Sequence, residues 1–200
     1  TIIGTGPGEF IADRNGICRV WMDHGVWPFL TTKLYIDQTG DLAVLLESVP
    51  YFKDGQNLRG MGQDAAWTQD VLQKTASGAV YSGTILEHIL LETLCAVHET
   101  GAHGHIRLRG ADWNDALDMA AEHGESVAFT CAYAGNLEEL AGLLRVLAER
   151  GHREVELLEE LELLLEKENR LPDFLHLCAH SVRGSKRRFD TLALADTLQA

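Results

Sequence analysis

Ser82-Gly-Thr-Ile-Leu-Glu-His-Ile-Leu-Leu-Glu-Thr-Leu-Cys-Ala-Val-His-Glu-Thr100 holds the longest apolar run in the chain and reads as a helix. Ile85, Ile89, Leu90 and Leu94 recur at the spacing of one helix face, and Gly101 is placed to stop it. The same period runs through Glu125 to Arg150, where Val127, Leu137, Leu140, Leu144 and Leu147 form a stripe ahead of Gly151. On the other side, Val26 to Thr39 puts Trp27, Leu30, Leu34 and Tyr35 on one face before Gly40. Asn114 to His123 reads as a short helix, Glu154 to Asn169 as a longer solvent-facing one ending before Pro172, and a last helix starts near Asp190. Only Ile17 to Met22 and His105 to Arg109 read as short extended pieces. Helices joined by loops, with no strand–helix alternation, predict an all-α fold.

Composition narrows the function classes. The 200 residues are 46% hydrophobic and 24% charged with 4 prolines, which excludes a disordered or collagen-like chain. Ile85 to Val97 is the longest apolar run and is interrupted by Glu87, His88 and Glu92, so it falls short of a membrane span. Thirty acidic against 17 basic residues leave a formal charge of −13. Such a chain repels phosphate backbones and anionic lipid, so neither nucleic acid nor membrane is an expected partner. Cys18, Cys95, Cys131 and Cys178 are widely spaced, which reads as reduced, mostly buried thiols in a cytoplasmic protein, although an even count also admits pairing. No Cys/His cluster has zinc-ligand spacing. The opening Thr-Ile-Ile-Gly carries no basic-then-apolar signal pattern and looks like a cut edge.

Chemistry concentrates in Arg107-Leu-Arg-Gly-Ala-Asp-Trp-Asn-Asp-Ala-Leu-Asp118. Carboxylates beside a flat indole suit a sugar, whose C–H faces stack on the ring while its hydroxyls donate to the acids. An apolar wall also raises the pKa of a neighbouring carboxyl, as a general acid at neutral pH requires. The alternative is a helix cap, with Asp112 or Asn114 opening Ala116 to His123 and Asp115 in its first turn. A calcium loop would need a glycine and a terminal glutamate that are missing. Gly4-Thr-Gly-Pro-Gly8 neither follows a strand nor ends in Lys-Ser/Thr, and reads as a frayed tail. Gly60 to Asp64 reads as a turn, with Lys53 to Arg59 beside it able to line the mouth of a sugar subsite. His88 reads as a hydrogen-bonded core histidine, His103 and His105 as residues positioning the following loop, and Arg183 to Arg188 as a solvated basic connection.

Ala111-Asp112-Trp113-Asn114-Asp115, followed by Gly124-Glu125-Ser126-Val127, resembles the GDWNDGM…GESV signature of glycoside hydrolase family 94, the inverting β-glucoside phosphorylases. Supporting matches occur in order. Met22-Asp23-His24-Gly25-Val26-Trp27 resembles DDxLW, and Tyr35 to Asp41 resembles YxxxTGD. Val49-Pro50-Tyr51, Leu86-Glu87-His88 and Gly101-Ala-His-Gly104 complete the series. The resemblance implies an (α/α)6 barrel of which residues 1–200 are a partial, internal piece, with the N-terminal β-sandwich and remaining barrel helices absent. It implies Asp115 as the general acid and Trp113 in the −1 sugar subsite. Asp112 would shape the loop or bind a hydroxyl, and Asp23 would bind sugar, although His24 replaces the family's second aspartate. Arg109 and Arg107, close in sequence to the acid, are candidates to contact sugar or phosphate, the alternative being surface pairing with the excess acids. Ala116-Leu117 in place of Gly-Met points away from strict cellobiose phosphorylases, towards members acting on β-1,2-linked glucans.

The activity so implied is phosphorolysis of a β-linked gluco-oligosaccharide to α-glucose 1-phosphate, with inorganic phosphate as co-substrate and no cofactor. A homodimer is compatible with the resemblance, and the 200-residue piece alone is expected to be inactive. A hydrolase or transglycosylase on the same barrel, or a non-catalytic carbohydrate-binding helical fragment, are the alternative readings.

Overall fold

The computed structural model describes residues 22, 25–53, 55–57, 62–68, 70–109, 120 and 122–200. Helix α1 spans Val26–Thr39 and ends at Gly40, whose left-handed φ of +72° lets its N–H return to the Ile36 carbonyl. A 3-10 turn over Leu42–Leu46 leads into strand β1, Ser48–Pro50. Strands β2 (Gln56–Asn57) and β3 (Gly62–Gln63) pair with each other, and β4 (Ser82–Thr84) returns antiparallel to β1 with Val49 opposite Gly83. Helix α2, Ile85–Val97, starts at Thr84, whose side chain caps the Glu87 N–H. Strands β5 (Ile106–Arg107) and β6 (Glu125–Ser126) pair ahead of α3, Val127–Glu149, which Ser126 caps and Gly151 follows. Strand β7 (Glu154–Leu158), a 3-10 stretch over Glu159–Leu164, helix α4 (Leu171–Leu177), strand β8 (Lys186–Asp190) and helix α5 (Thr191–Gln199) complete the order.

The main core is built on α2 and α3. Leu86, Leu90 and Leu94 of α2 and Leu140, Leu144 and Leu147 of α3 are all buried, joined by Leu157, Leu161, Phe174 and Leu194 from the C-terminal elements. Helix α5 lies along α3, where Arg145 donates to Asp196 and Gln199. A second, smaller cluster gathers Met22, Val26, Ala96, Ile106 and Tyr133.

The all-α expectation fails. Four two-stranded antiparallel ladders stand among the described residues, so the architecture is mixed α/β instead of an all-α piece of an (α/α)6 barrel. The largest local error is Glu154 to Asn169, read as a helix. Its Glu-Val-Glu-Leu start alternates, and Val155 and Leu157 turn inward while Glu154 and Glu156 stay exposed. Of the leucines that follow on a 3-10 turn, Leu161 and Leu164 are almost wholly covered and Leu163 is partly buried. Its partner strand, β8, comes from the segment read as a solvated basic connection. The basic run is placed by charge: Arg188 lies opposite Glu156 in the register and bonds it at 3.1 Å, and Arg187 meets Glu162.

Two helix readings also shift. In α1 the stripe of Trp27, Leu30, Leu34 and Tyr35 faces outward: Trp27 is 56% exposed and Leu34 60%, while Val26, Phe29 and Ile36 enter the core. The helix is apolar on both faces at its start, so period alone does not select which face turns inward. Pro172, read as following a helix, sits in the first turn of α4, where its missing N–H costs nothing. Cys95 and Cys178 are buried and Cys131 is exposed, all three as free thiols, so most of the described cysteines are buried as read from the sequence; Cys18 lies outside the described residues. Among the described residues no helix is long and apolar enough to cross a membrane.

Candidate functional site

The Asp112–Asp115 motif lies in the connection between β5 and β6, and the base of that connection is held from several sides. Ile106 pairs with Ser126 and Arg107 with Glu125, and the Leu108 N–H donates to the Gly124 carbonyl at 2.9 Å. On one flank the turn after α2 is closed by Gly101 N–H to His105 O, 2.9 Å, with Gly104 at φ +80°. The Glu125 carboxylate gathers this turn: it accepts from the His103 N–H at 3.1 Å, the His105 N–H at 3.0 Å and His103 Nδ1 at 3.0 Å. Burial alone would push this carboxyl up, but those donors outweigh it and pull its pKa down to about 2. Gly101 is needed at the contact, since a Cβ there would overlap the Glu125 carboxyl. The Gly101–Gly104 and Gly124–Val127 motifs, 20 residues apart in sequence, are thus one structural unit.

Two arginines guard the outgoing flank. Arg107 donates to the Thr100 carbonyl at 3.0 Å and the Glu122 carbonyl at 3.2 Å. Arg109 has φ +51°, a left-handed conformation rare outside glycine, and its guanidinium is ion-paired with the buried Glu99. Both arginines, with His98, Glu99 and Asn169, line a cleft of about 370 Å³.

The start of α1 is brought to the same end of the molecule. Tyr133 of α3 donates its hydroxyl to the Met22 carbonyl, and Asn136 donates to the Val26 carbonyl at 3.2 Å. Ile106 of β5 is tied to the same stretch of α3 through its N–H to Thr130 Oγ1, 3.0 Å. The flanks of the Met22–Trp27 motif and of the Asp112–Asp115 motif therefore converge on the first turns of α3. Asp23, Asp112, Trp113 and Asp115 themselves lie outside the described residues, as do Gly4 to Gly8, Ile17 to Trp21 and most of the Asn114 to His123 segment read as a helix. Of the site residues named from sequence, the structure places Arg109 and Arg107, the first ion-paired with Glu99 and the second bonded to backbone carbonyls.

The Val49–Tyr51 and Leu86–His88 motifs meet at the opposite end of α2. Tyr51 and Tyr81 donate to Glu87 Oε1 at 2.8 and 2.9 Å, and the Leu158 N–H donates to Oε2 at 2.6 Å. Glu87 has no solvent exposure, and loss of water pushes its pKa up despite these donors. His88 donates Nε2–H to the Val49 carbonyl at 3.2 Å and stacks on Tyr51 with ring centres 3.6 Å apart. Burial lowers its pKa to about 4, so it stays neutral near pH 7 as a core histidine. Glu99 and Glu125 were not singled out from the sequence as site-forming. Glu125 is the second residue of the Gly-Glu-Ser-Val motif, but neither residue type nor spacing told that its side chain closes a turn 20 residues upstream.

No protein-family profile matches the chain. Over 129 residues, 64% of the chain, it is 29% identical to the solabiose phosphorylase of Paenibacillus borealis. Over 130 residues, 65% of the chain, it is 31% identical to the cyclic beta-(1,2)-glucan synthase NdvB of Rhizobium meliloti strain 1021. The chain spans 13% and 4% of the lengths of these two proteins. Across about two thirds of its length, then, the chain is a relative of a glycoside phosphorylase and a glucan synthase, in agreement with the glycoside hydrolase family 94 signature read from its motifs.

Proposed function

We propose that this chain carries the acid-bearing part of a glycoside phosphorylase, acting on a β-linked gluco-oligosaccharide with inorganic phosphate. The observation that carries this reading is the pinned base of the β5–β6 connection. Glu125, Glu99 and the strand pairing fix both flanks of the motif that holds Asp112, Trp113 and Asp115. Catalytic groups gain most from such restraint, because a misplaced acid loses its in-line geometry. The resemblance to a solabiose phosphorylase supports the same reaction class, and the resemblance to a glucan synthase supports a gluco-oligosaccharide substrate.

In this mechanism Asp115 gives its proton to the glycosidic oxygen as the bond from that oxygen to the anomeric carbon breaks. A phosphate oxygen attacks the same carbon from the opposite face, forming α-glucose 1-phosphate and a shortened sugar. The Asp115 carboxylate then regains a proton from solvent or from the incoming phosphate. Trp113 supplies the flat wall of the −1 subsite and keeps the acid protonated by excluding water. Asp112 and Asp23 bind sugar hydroxyls, and Arg109 offers a guanidinium at the loop's flank for sugar or phosphate. An inverting hydrolase would need a second carboxylate about 6.5–9.5 Å away to activate water, whereas phosphate is already an anionic nucleophile.

The test is release of glucose 1-phosphate from β-linked gluco-oligosaccharides by the full-length protein. Release that depends on phosphate is expected, and Asp115→Asn is expected to lower kcat at least about a hundredfold. Free glucose released equally without phosphate would assign a hydrolase instead.

A further inference from the structure

A second cleft, of about 470 Å³, opens far from the β5–β6 base. Its size falls among small-molecule sites, roughly 300–1,000 Å³. Its floor holds Lys53 and Asp64, whose side chains are only 6% and 5% exposed and lie 3.5 Å apart. Lys53 Nζ also donates to the Ala179 carbonyl at 3.0 Å, which ties the floor to the segment after α4. Asp64 accepts from the Ala66 N–H at 2.9 Å and from His180 Nδ1 at 2.8 Å. Burial alone would push the Asp64 carboxyl up, but the imidazole, the Ala66 amide and the lysine together hold it below the usual range. Because a carboxylate only accepts, His180 carries its proton on Nδ1 when neutral and keeps Nε2 as an acceptor on a largely exposed ring. Trp67, packed against Gly55 and 37% exposed, forms an aromatic wall. Asp70 and Lys74, paired at 3.0 Å, stand at the rim.

We propose that this cleft is a second, non-catalytic carbohydrate-binding site. Each lysine in it is already opposed by a carboxylate, so its charges balance and a strongly ionic ligand gains little. What remains is an exposed indole beside fixed donors and acceptors, the combination that binds a neutral polyhydroxylated ring by stacking and hydrogen bonding. Asp64 and Lys53 are held in place before any ligand arrives, so little ordering remains to be done on binding. The cleft adjoins the N-terminal end of α2, since Gln73 N–H bonds the carbonyl of Tyr51, which in turn touches Glu87. Helix α2 is 13 residues long, so about 20 Å separates this end from the turn that leads to β5. A long β-glucan held here would be kept near the catalytic segment without occupying it. The choice of a β-glucan over other neutral sugars rests on the proposed phosphorylase reading.

The experiment is titration of the full-length protein with cellopentaose and with a β-1,2-linked gluco-oligosaccharide, read by the NMR signal of the Trp67 indole N–H and by calorimetry. The indole signal is expected to shift with saturation, and Trp67→Ala to weaken that binding component roughly tenfold. Trp67→Phe, which keeps a flat ring, should weaken it less. Trp113→Ala should leave the component in place. An unmoved Trp67 signal at saturating sugar, or wild-type affinity in Trp67→Ala, overturns the cleft. Should Trp67→Ala fail to fold, the wild-type signal decides alone. Glucose 1-phosphate release is measured separately: its absence beside a Trp67 shift sinks the phosphorylase reading only, and its presence beside an unmoved signal sinks the cleft only.

Discussion

Helix α2 has a glutamate-centred cluster near each end, and the two carboxylates are driven in opposite directions. Glu87, at the start, is sealed from water among Tyr51, Tyr81 and β7, and its pKa rises. Glu125, beyond the other end, receives two backbone N–H groups and an imidazole, and its pKa falls to about 2. Both have three donors or more, so the number of hydrogen bonds does not explain the difference. Access to water does: desolvation dominates where the carboxylate is fully enclosed, and the donors dominate where it is not. Each also has a glycine pressed against it, Gly83 on Glu87 and Gly101 on Glu125, where a Cβ would overlap the carboxyl. One end of the helix is a dry structural hub, the other a clamp on the base of the β5–β6 connection.

Breaking the hub should have the largest effect on stability. Glu87→Ala strands the Tyr51 and Tyr81 hydroxyls and the Leu158 N–H in the core, at about 1–3 kcal/mol for each group left unsatisfied. A loss of several kcal/mol in urea unfolding is expected, and Glu87→Gln, which keeps one acceptor oxygen for the tyrosines, should lose about half as much. If Glu87→Ala unfolds at the wild-type midpoint, the hub is not what joins β1, β4 and β7 to α2. Gly83→Ala should resemble Glu87→Ala, since the added methyl displaces the same carboxyl.

The clamp should show itself through pH. The Glu125 pKa is depressed in the folded state, so its contribution is complete above about 4.5 and is lost as pH falls towards about 2. His88 acts in the same direction from a different cause, because its buried ring must stay neutral and its folded pKa of about 4 lies below the ordinary 6.5. Its contribution is lost as pH falls from about 6.5 towards 4. Stability followed from pH 7 to 2 should therefore decline in two stages. Glu125→Gln should remove the lower stage and leave the upper one. The same variant should raise hydrogen exchange at the His103 and His105 amides and leave that of Leu158 unchanged. Equal exchange at all three would mean that the clamp is no separate unit.

The two ends also differ in how far the sequence revealed them. Helices α1, α2, α3 and α5 were legible because their caps and stops are local: Gly40, Thr84, Ser126, Gly151 and Asp190 each act within a few residues. The strands were mostly not, because pairs such as Val49 with Gly83 or Arg107 with Glu125 are two to five residues long and find their partners far along the chain. The Leu/Glu run at 154–168 misled because its charges and leucines satisfy a helical repeat as readily as a strand followed by a 3-10 turn. Motif recognition reached the family resemblance, since Asp112–Asp115 and Gly124–Val127 are contiguous signatures, but the side-chain contacts of Glu125 and Glu99 around the loop base have no local pattern. The Lys53–Asp64–His180 cluster had no such signature: its members lie 11 and 116 positions apart.

The smallest effect is expected where that run is held to β8. Arg188 is 69% exposed and touches Glu156 and Glu154. Exposed pairs of this kind contribute about 0–1 kcal/mol, so Arg188→Ala should shift the unfolding midpoint barely at all. Charge here selects a register instead of supplying stability. With Val155 and Leu157 facing the core, a slip of one residue would turn Glu154 and Glu156 inward, at far greater cost than losing the ion pairs. Val155→Lys, which removes that inward preference, should therefore destabilise far more than Arg188→Ala. Comparable midpoints for the two variants would show that the surface charges, and not the alternating side chains, fix the strand.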